Sequence, residues 1–443
     1  MDENLLHDVV SAALKSGADA AEAAFAERQS LSITVRLGDL EEVEREEARD
    51  LGIRVFIGQR QAVVSGSDIS AEGRGKLVER AVAMARLAPE DPYAGLAPAD
   101  RLARGDEPDL ALYDATEMDP EALESRALRA EEAMRAVEGV TNSSGGSADW
   151  SASSWRLVTS GGFSGLHRAS TFSLSAQAIA GEGAQMERGA EGRATRWLED
   201  LPSPEAIGAE AGRRAVASLN PRKIASTTAP VIFENRIAMS LIGPLVGAIS
   251  GPSVARGVSF LKDRMGQALF AKGVVISDDP HRVRGLGSSP FDDEGVANAP
   301  MNIIDDGVLT TWLLNSGSAR QLGLQTTGHA SRGLAGPPGV GPSNLTLKPG
   351  DKDRAGLMAQ AGSGVLVTSM FGPSLNPNTG DWSVGCQGFW FENGEIAYPV
   401  NEITVAGNLI DIYARVLPGS DLEIRGASNA PSLLVDALAI AGT

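Results

Sequence analysis

A chain of 443 residues, 42% hydrophobic and 22% charged, is too long for one ordinary core and lacks the composition of a disordered segment, so two or three globular domains are expected. A formal net charge of -18 argues against a nucleic-acid partner, whose phosphates need a basic surface; it favours solubility and names no partner. The single cysteine, Cys386, excludes an internal disulfide and fits a reducing compartment.

The opening stretch MDENLLHDVVSAALKSG is acidic and amphipathic, unlike a signal peptide, and the longest apolar run, Ile237 to Gly251, is too short to span a bilayer and contains Pro244. A cytoplasmic protein with no membrane partner is the expectation. The 51 glycines and 5% aromatics favour turns and β structure over a helical bundle.

Asp2 is placed to cap a helix whose Leu5, Leu6, Val9, Val10 and Leu14 share a face, with Gly17 as its stop. Leu31, Ile33, Val35 and Leu37 alternate with polar residues as in a half-buried strand. Ile53, Val55 and Ile57 repeat the pattern, and Gly58-Gln59 turns the chain into Ala62-Val64. A helix from about Ser70 to Leu87 ends before Pro89. Residues 89 to 118 have no clean periodicity and mark a boundary.

A second unit begins with Asp119 as N-cap and Pro120 at the first helical position. Its helix lines up Leu123, Ala127, Ala130, Met134 and Val137 and closes at Gly139. Gly- and Ser-rich hairpins are expected at Trp155-Ser160 and Arg168-Ala180, then a helix from Ser203-Pro204 to about Leu219. Beyond Asn220-Pro221 the pattern becomes short strands and turns with one apolar helix, about Asn235 to Ser250.

The expected fold class is therefore α+β and multidomain: an N-terminal α+β domain over 1–100, a central α+β domain over 117–222, and a β-rich C-terminal domain over 227–443.

Local motifs supply no active site. His7, His167, His281 and His329 are far apart, so no pair at helical spacing seeds a metal site, and His7 is expected to face solvent. Nothing near Cys386 lowers a thiol pKa, which makes it a packed small hydrophobe. Ser164 in GGFSGL lacks the glycine a nucleophile elbow needs, GRGKL around Lys76 lacks the first glycine of a phosphate loop, and the G-x-G at Gly285 and Gly287 is not completed. Asp292, Asp293 and Glu294 are adjacent, so in an extended segment they cannot converge on one ion; solvated turn charges are expected.

Four longer segments, read together, resemble the TldD/PmbA family, known as modulators of DNA gyrase and as peptidases. They are Asp263 to Pro280 with its continuation to Arg320, Thr326 to Asp351, Asn376 to Leu409, and PSLLVDALAIAG near the end. The pieces GPSNLTLKPGD and NTGDWSVGCQGFWFENGEIAYPV are closer to the PmbA (TldE-like) branch than to the TldD branch.

That resemblance implies where a metal site would stand. The TldD branch carries H-E-x-x-x-H on the apolar helix before the R-M-G-Q segment. Counted back from Arg264-Met265-Gly266-Gln267, the corresponding stretch here is Ile242-Gly243-Pro244-Leu245-Val246-Gly247. Ile242 and Gly247 replace the histidines and Gly243 the glutamate, and none can bind zinc or move a proton. Pro244 is expected to disturb a regular helix unless it lies in the first turn, and a C-terminal thiolate ligand has no counterpart in RGASNAPSLLV.

The resemblance implies a subunit without catalytic residues or zinc of its own, working with a zinc-bearing TldD-type subunit on peptides or small unfolded proteins. The rival expectation is a stand-alone homodimeric peptide-binding or scaffold protein; hydrolysis through an unrecognised site is a third. Asn344, Asp381 and Asn408 are the expected polar groups of a groove that holds an extended peptide along a sheet edge, though each is also a natural turn-former.

Overall fold

The computed structural model describes residues 3–105 and 108–443, so the Asp2 cap lies outside the described residues. Helix α1 (Glu3–Lys15) buries Leu6, Val9, Val10 and Ala13. The 6–9–10–13 spacing gives the inward stripe to Ala13, which leaves Leu14 exposed, contrary to expectation. Strands β1 (Ala20–Arg36) and β2 (Asp39–Ile57) form a hairpin with Arg36 opposite Asp39. Its two turn residues, Leu37 (φ 56°) and Gly38 (φ 90°), both lie in the left-handed region that such a tight turn requires. Leu37 is therefore an exposed turn residue, and the inward alternation ends at Val35.

Strand β3 (Arg60–Gly66) follows, then α2 (Ala71–Leu87), where the Ser70 hydroxyl accepts from Gly73 N–H. Helix α3 (Pro120–Arg135) is capped in the same way by Asp119. Strands β4 (Val140–Thr159) and β5 (Ser164–Ala180) make one long hairpin instead of the separate short ones expected, and β6 (Glu187–Thr195) and α4 (Pro204–Ala217) complete the unit.

All six strands join one antiparallel sheet in the order β3-β2-β1-β4-β5-β6, so β1 pairs with β4 and the first two units share a sheet. Ala21, Ala23 and Phe25 face α1 and α2; Leu31, Ile33 and Val35, of the same parity on β1, face α3 and α4. The helices α3 and α4 touch backbone to backbone: a Cβ on Gly208 would sit 1.9 Å from the Ala130 carbonyl oxygen.

The remaining chain runs through β7 (Thr227–Phe233), α5 (Asn235–Ala248), α6 (Gly251–Ala255), β8 (Ile276–Asp278), β9 (Met301–Asp305), β10 (Val308–Leu309) and α7 (Ser316–Leu322). It continues through β11 (Ala330–Ser331), β12 (Gly339–Val340), β13 (Leu345–Leu347), α8 (Arg354–Ala361), β14 (Gly364–Leu375) and β15 (Asp381–Glu392). Last come β16 (Glu395–Asn408), α9 (Leu409–Ala414), β17 (Leu417–Pro418) and β18 (Leu433–Ala441).

A second six-stranded sheet has the order β16-β15-β14-β7-β18-β17, with β7 and β14 parallel. Thr404–Ala406 of β16 also pairs with Ala439–Ala441 of β18, so the sheet curls back on itself. Its main core packs Leu241, Ile242 and Leu245 of α5 with Val231, Phe233, Val365, Val367, Val384 and Cys386.

The aperiodic run 89–118 is fastened to this third part. The Arg320 guanidinium donates to the carbonyls of Tyr93, Gly95 and Leu96 at 2.8–3.1 Å, and Arg196 donates to those of Gly285 and Leu286. The acidic triplet corrects another expectation: Asp292 and Glu294 are buried.

Asp292 accepts from the N–H groups of Glu294, Val296 and Ala330, Asp293 from Arg332 N–H, and Glu294 from Ser316 N–H. Glu294 also faces Arg54 at 4.0 Å, and Glu22 bridges Arg54 and Arg332. Backbone donors and these arginines replace water around the carboxylates, which is what burial of charge requires. Burial, and next the neighbouring Glu294 carboxylate, push Asp292 well above the usual carboxylate range.

Candidate functional site

Helix α5 has an apolar stripe, Ala238, Leu241, Ile242, Leu245 and Ala248, turned into the core. The opposite stripe is Ser240, Gly243 and Gly247, exposed and nearly without side chains. A Cβ on either glycine would meet nothing within 4 Å.

Pro244 lies inside the helix, beyond its first turn, and the helix nonetheless continues to Ala248. The proline removes the N–H that would bond the Ser240 carbonyl, and at an exposed position water can satisfy that oxygen. Ile242 is fully buried while Gly247 is exposed, so the two positions point apart on a regular helix.

Beside α5 lies an incomplete strand pairing. Strand β14 pairs with β7 only at Val365–Val367, because β7 ends at Phe233. From Thr368 onward its one strand neighbour is β15, and Phe371 to Ser374 are exposed. Pro373, which has no N–H, sits within this open stretch, as prolines in strands do at edges and bulges. The edge able to accept a further strand is therefore short, about Thr368 to Gly372.

At the Thr368 end a cavity of about 560 Å³ separates the first sheet from the third part of the chain. Arg188 of β6, Arg213 and Arg214 of α4, and Arg236 at the start of α5 line it, with Glu210 and Glu234 as the acidic groups. Arg213 and Arg214 both bond Glu210, and Arg236 bonds Glu234 and the Thr368 carbonyl. Arg188 forms no ion pair among the described residues. Sequence reading missed this site because its arginines come from three separate elements with no shared spacing.

The expected groove residues divide. Asp381 and Asn408 come together, with Asn408 donating to the Asp381 carboxylate at 3.0 Å, at the tip of the β14–β15 hairpin. The Asn408 side chain also caps α9 through Ile410 N–H, and Asp381 accepts from the Thr379 hydroxyl. The hydrogen bond from Asn408, and then that from Thr379, hold Asp381 below the usual carboxylate range. Asn344 is elsewhere and fully buried, donating to the Asp279 carbonyl and the Ser288 hydroxyl and accepting from Gly287 N–H.

The histidines remain apart. His7 is exposed beside Glu3, His281 meets Asn298, and His329 is enclosed between Thr327 and Asp278. Burial, with a smaller push from Arg196, lowers His167 to about 4, so its ring is neutral at pH 7. Cys386 belongs to the core, and burial pushes its thiol up to about 12. Among the described residues no group of three or more His, Cys, Asp or Glu side chains could hold a metal ion.

Family models cover most of the chain. Residues 21–85 match the PmbA/TldA metallopeptidase domain 1, 113–219 its central domain and 226–442 its C-terminal domain. The chain belongs to the PmbA/TldD family.

Metalloprotease PmbA of Escherichia coli O157:H7 is 39% identical over 99% of this chain and 96% of its own length. A PmbA homologue of Haemophilus influenzae is 38% identical over 98% and 94%. Among solved structures, a candidate modulator of DNA gyrase from Bacteroides thetaiotaomicron superposes with a TM-score of 0.92 at 27% identity, covering 100% of both chains. TldE of Thermococcus kodakarensis gives 0.88 at 19% identity over 99% and 100%, a likeness of fold.

A metallopeptidase family implies a metal. Here the residues at the PmbA/TldD helix position do not fit one: Ile242 is a buried hydrocarbon, and Gly243 and Gly247 have no side chain. Among the described residues, no helix is long and apolar enough to cross a membrane.

Proposed function

We propose that this chain is the TldE-like, non-catalytic subunit of a cytoplasmic TldD/PmbA peptidase, paired with a zinc-bearing TldD-type subunit and acting on peptides or small unfolded proteins. The observation that carries the reading is the α5 face, where a complete family fold presents Ser240, Gly243 and Gly247 to open space with no group able to bind zinc or take a proton. The name metalloprotease, borne by relatives that match nearly the whole chain, supports placing the protein in a proteolytic system.

In this reading the open β14 edge takes an extended segment of substrate by adding it as a strand, and α5 and the hairpin tip with Asp381 and Asn408 form the walls. Side-chain-poor walls suit a surface that must admit many sequences.

The test is zinc content and casein or peptide hydrolysis by the pure chain, by the TldD-type subunit, and by their mixture. The expected result is no zinc and no activity alone, with the mixture exceeding the TldD-type subunit. Stoichiometric zinc and hydrolysis by the pure chain would overturn it. A homodimer that binds peptide and leaves the TldD-type subunit's activity unchanged would select the stand-alone binding or scaffold reading.

A further inference from the structure

The cavity at the start of the open β14 edge combines three features. It carries four arginines against two glutamates in a chain whose formal net charge is -18. The glutamates are already engaged by Arg213, Arg214 and Arg236, which leaves Arg188 without an ion-pair partner among the described residues. The cavity also includes Thr368 and Ser369, the first residues of β14 after β7 stops.

Direction follows from the strand. β14 runs from Thr368 away from the cavity toward Leu375. A peptide added antiparallel to it runs the opposite way, and its C-terminal end arrives at Thr368 and the arginines. Parallel addition would bring an ammonium group there instead, against the local charge.

Resting on the peptide-groove reading above, we propose that the cavity lined by Arg188, Arg213, Arg214 and Arg236 is a carboxylate site that anchors the C-terminal end of an extended peptide lying antiparallel on β14. Arg188 supplies the free guanidinium, whose planar donors suit a carboxylate. Arg236 fixes the site's floor by holding the Thr368 carbonyl, at 3.2 Å. The remaining apolar contact comes from Phe389, which also lines the cavity.

The experiment measures binding of a fluorescein-labelled unstructured octapeptide to the full chain by fluorescence polarisation. Three forms are compared: free carboxyl end, amidated end, and amidated end with a terminal Glu. Amidation is expected to weaken binding about tenfold, a size typical of losing one charge-assisted contact.

Recovery by the terminal Glu would show that a side-chain carboxylate serves as well, and no recovery that the main-chain carboxylate is read; both support the site. Arg188→Gln should abolish the difference between acid and amide forms. Because the acid–amide comparison needs no variant, misfolding of the mutant cannot hide the answer. Equal binding of both forms to the unmodified chain would overturn the carboxylate site and leave the groove standing. Binding of neither form would overturn the groove itself, and this site with it.

Discussion

The junction around Glu22 and the α5–β14 face treat polarity in opposite ways. At the junction, Glu22, Arg54, Glu294 and Arg332 are each nearly enclosed, and every charge faces a partner. On the α5–β14 face Ser240, Gly243 and Gly247 are exposed and nearly without side chains, and the adjoining cavity is lined by Arg188, which has no ion-pair partner among the described residues. The enclosed cluster of ionisable groups at the junction is therefore little available for chemistry. Candidate chemistry belongs where charge is unsatisfied, and here that place is the cavity that Arg188 lines.

Breaking the junction should have the largest effect. Glu22→Ala removes the carboxylate that bridges Arg54 and Arg332, leaving Arg54 with only Glu294 at 4.0 Å and taking from Arg332 its ion-pair partner. Loss of one partner of a buried ionic network typically costs about 3–5 kcal/mol. Urea denaturation followed by tryptophan fluorescence is expected to show a loss of that size, and a loss below about 1 kcal/mol would mean that water reaches the cluster. Next in size is Gly208→Ala. Its methyl would have to occupy the space of the Ala130 carbonyl, so α3 and α4 must separate; a cost of about 1–3 kcal/mol is expected in the same assay.

A pH-dependent effect should be smaller. The folded-state value of His167 is depressed, so the fold favours the neutral ring, and stability present above the unfolded value near 6.5 is lost as pH falls toward about 4. Between pH 7 and pH 5 this contributes at most about 2 kcal/mol, less to the extent that solvent reaches the ring. His167→Gln should flatten that part of the stability–pH curve. An unchanged slope would assign the acid sensitivity to groups held below their ordinary range, such as Asp381.

How much of this was legible in the sequence follows the same division. Caps and turns were readable because their physics is local: Ser70, Asp119, Ser203, Gly17 and Gly139 act within a few residues of themselves. The family's third-domain segments were readable for a different reason, their length and order.

Long-range events were not. Nothing local to Asp292-Asp293-Glu294 announces that backbone donors near residues 316, 330 and 332 and an arginine of the first sheet will enclose them. The sharing of one sheet by two units was equally hidden, since the β1–β4 pairing joins residues more than a hundred positions apart. At the site, the absent donors on α5 could be read residue by residue. The open edge could not, because it exists only where β7 stops short of β14.

The smallest expected effect sharpens the comparison most. Gly243→Ala and Gly247→Ala place methyl groups on an exposed helix face where nothing lies within 4 Å. Each glycine costs an exposed helix interior about 0.8–1.0 kcal/mol relative to alanine. The double variant should therefore gain about 1–2 kcal/mol of stability, since an extra methyl meets no obstacle in the isolated chain.

If the stripe is the surface that a substrate backbone or the TldD-type subunit approaches closely, the same methyls intrude only in the assembly. Hydrolysis by the mixture should then fall even as the melting temperature of the chain rises, an inverse relation that general destabilisation cannot produce. A rise in stability with unchanged mixed activity would detach the α5 face from function and leave the β14 edge and its cavity as the working surface.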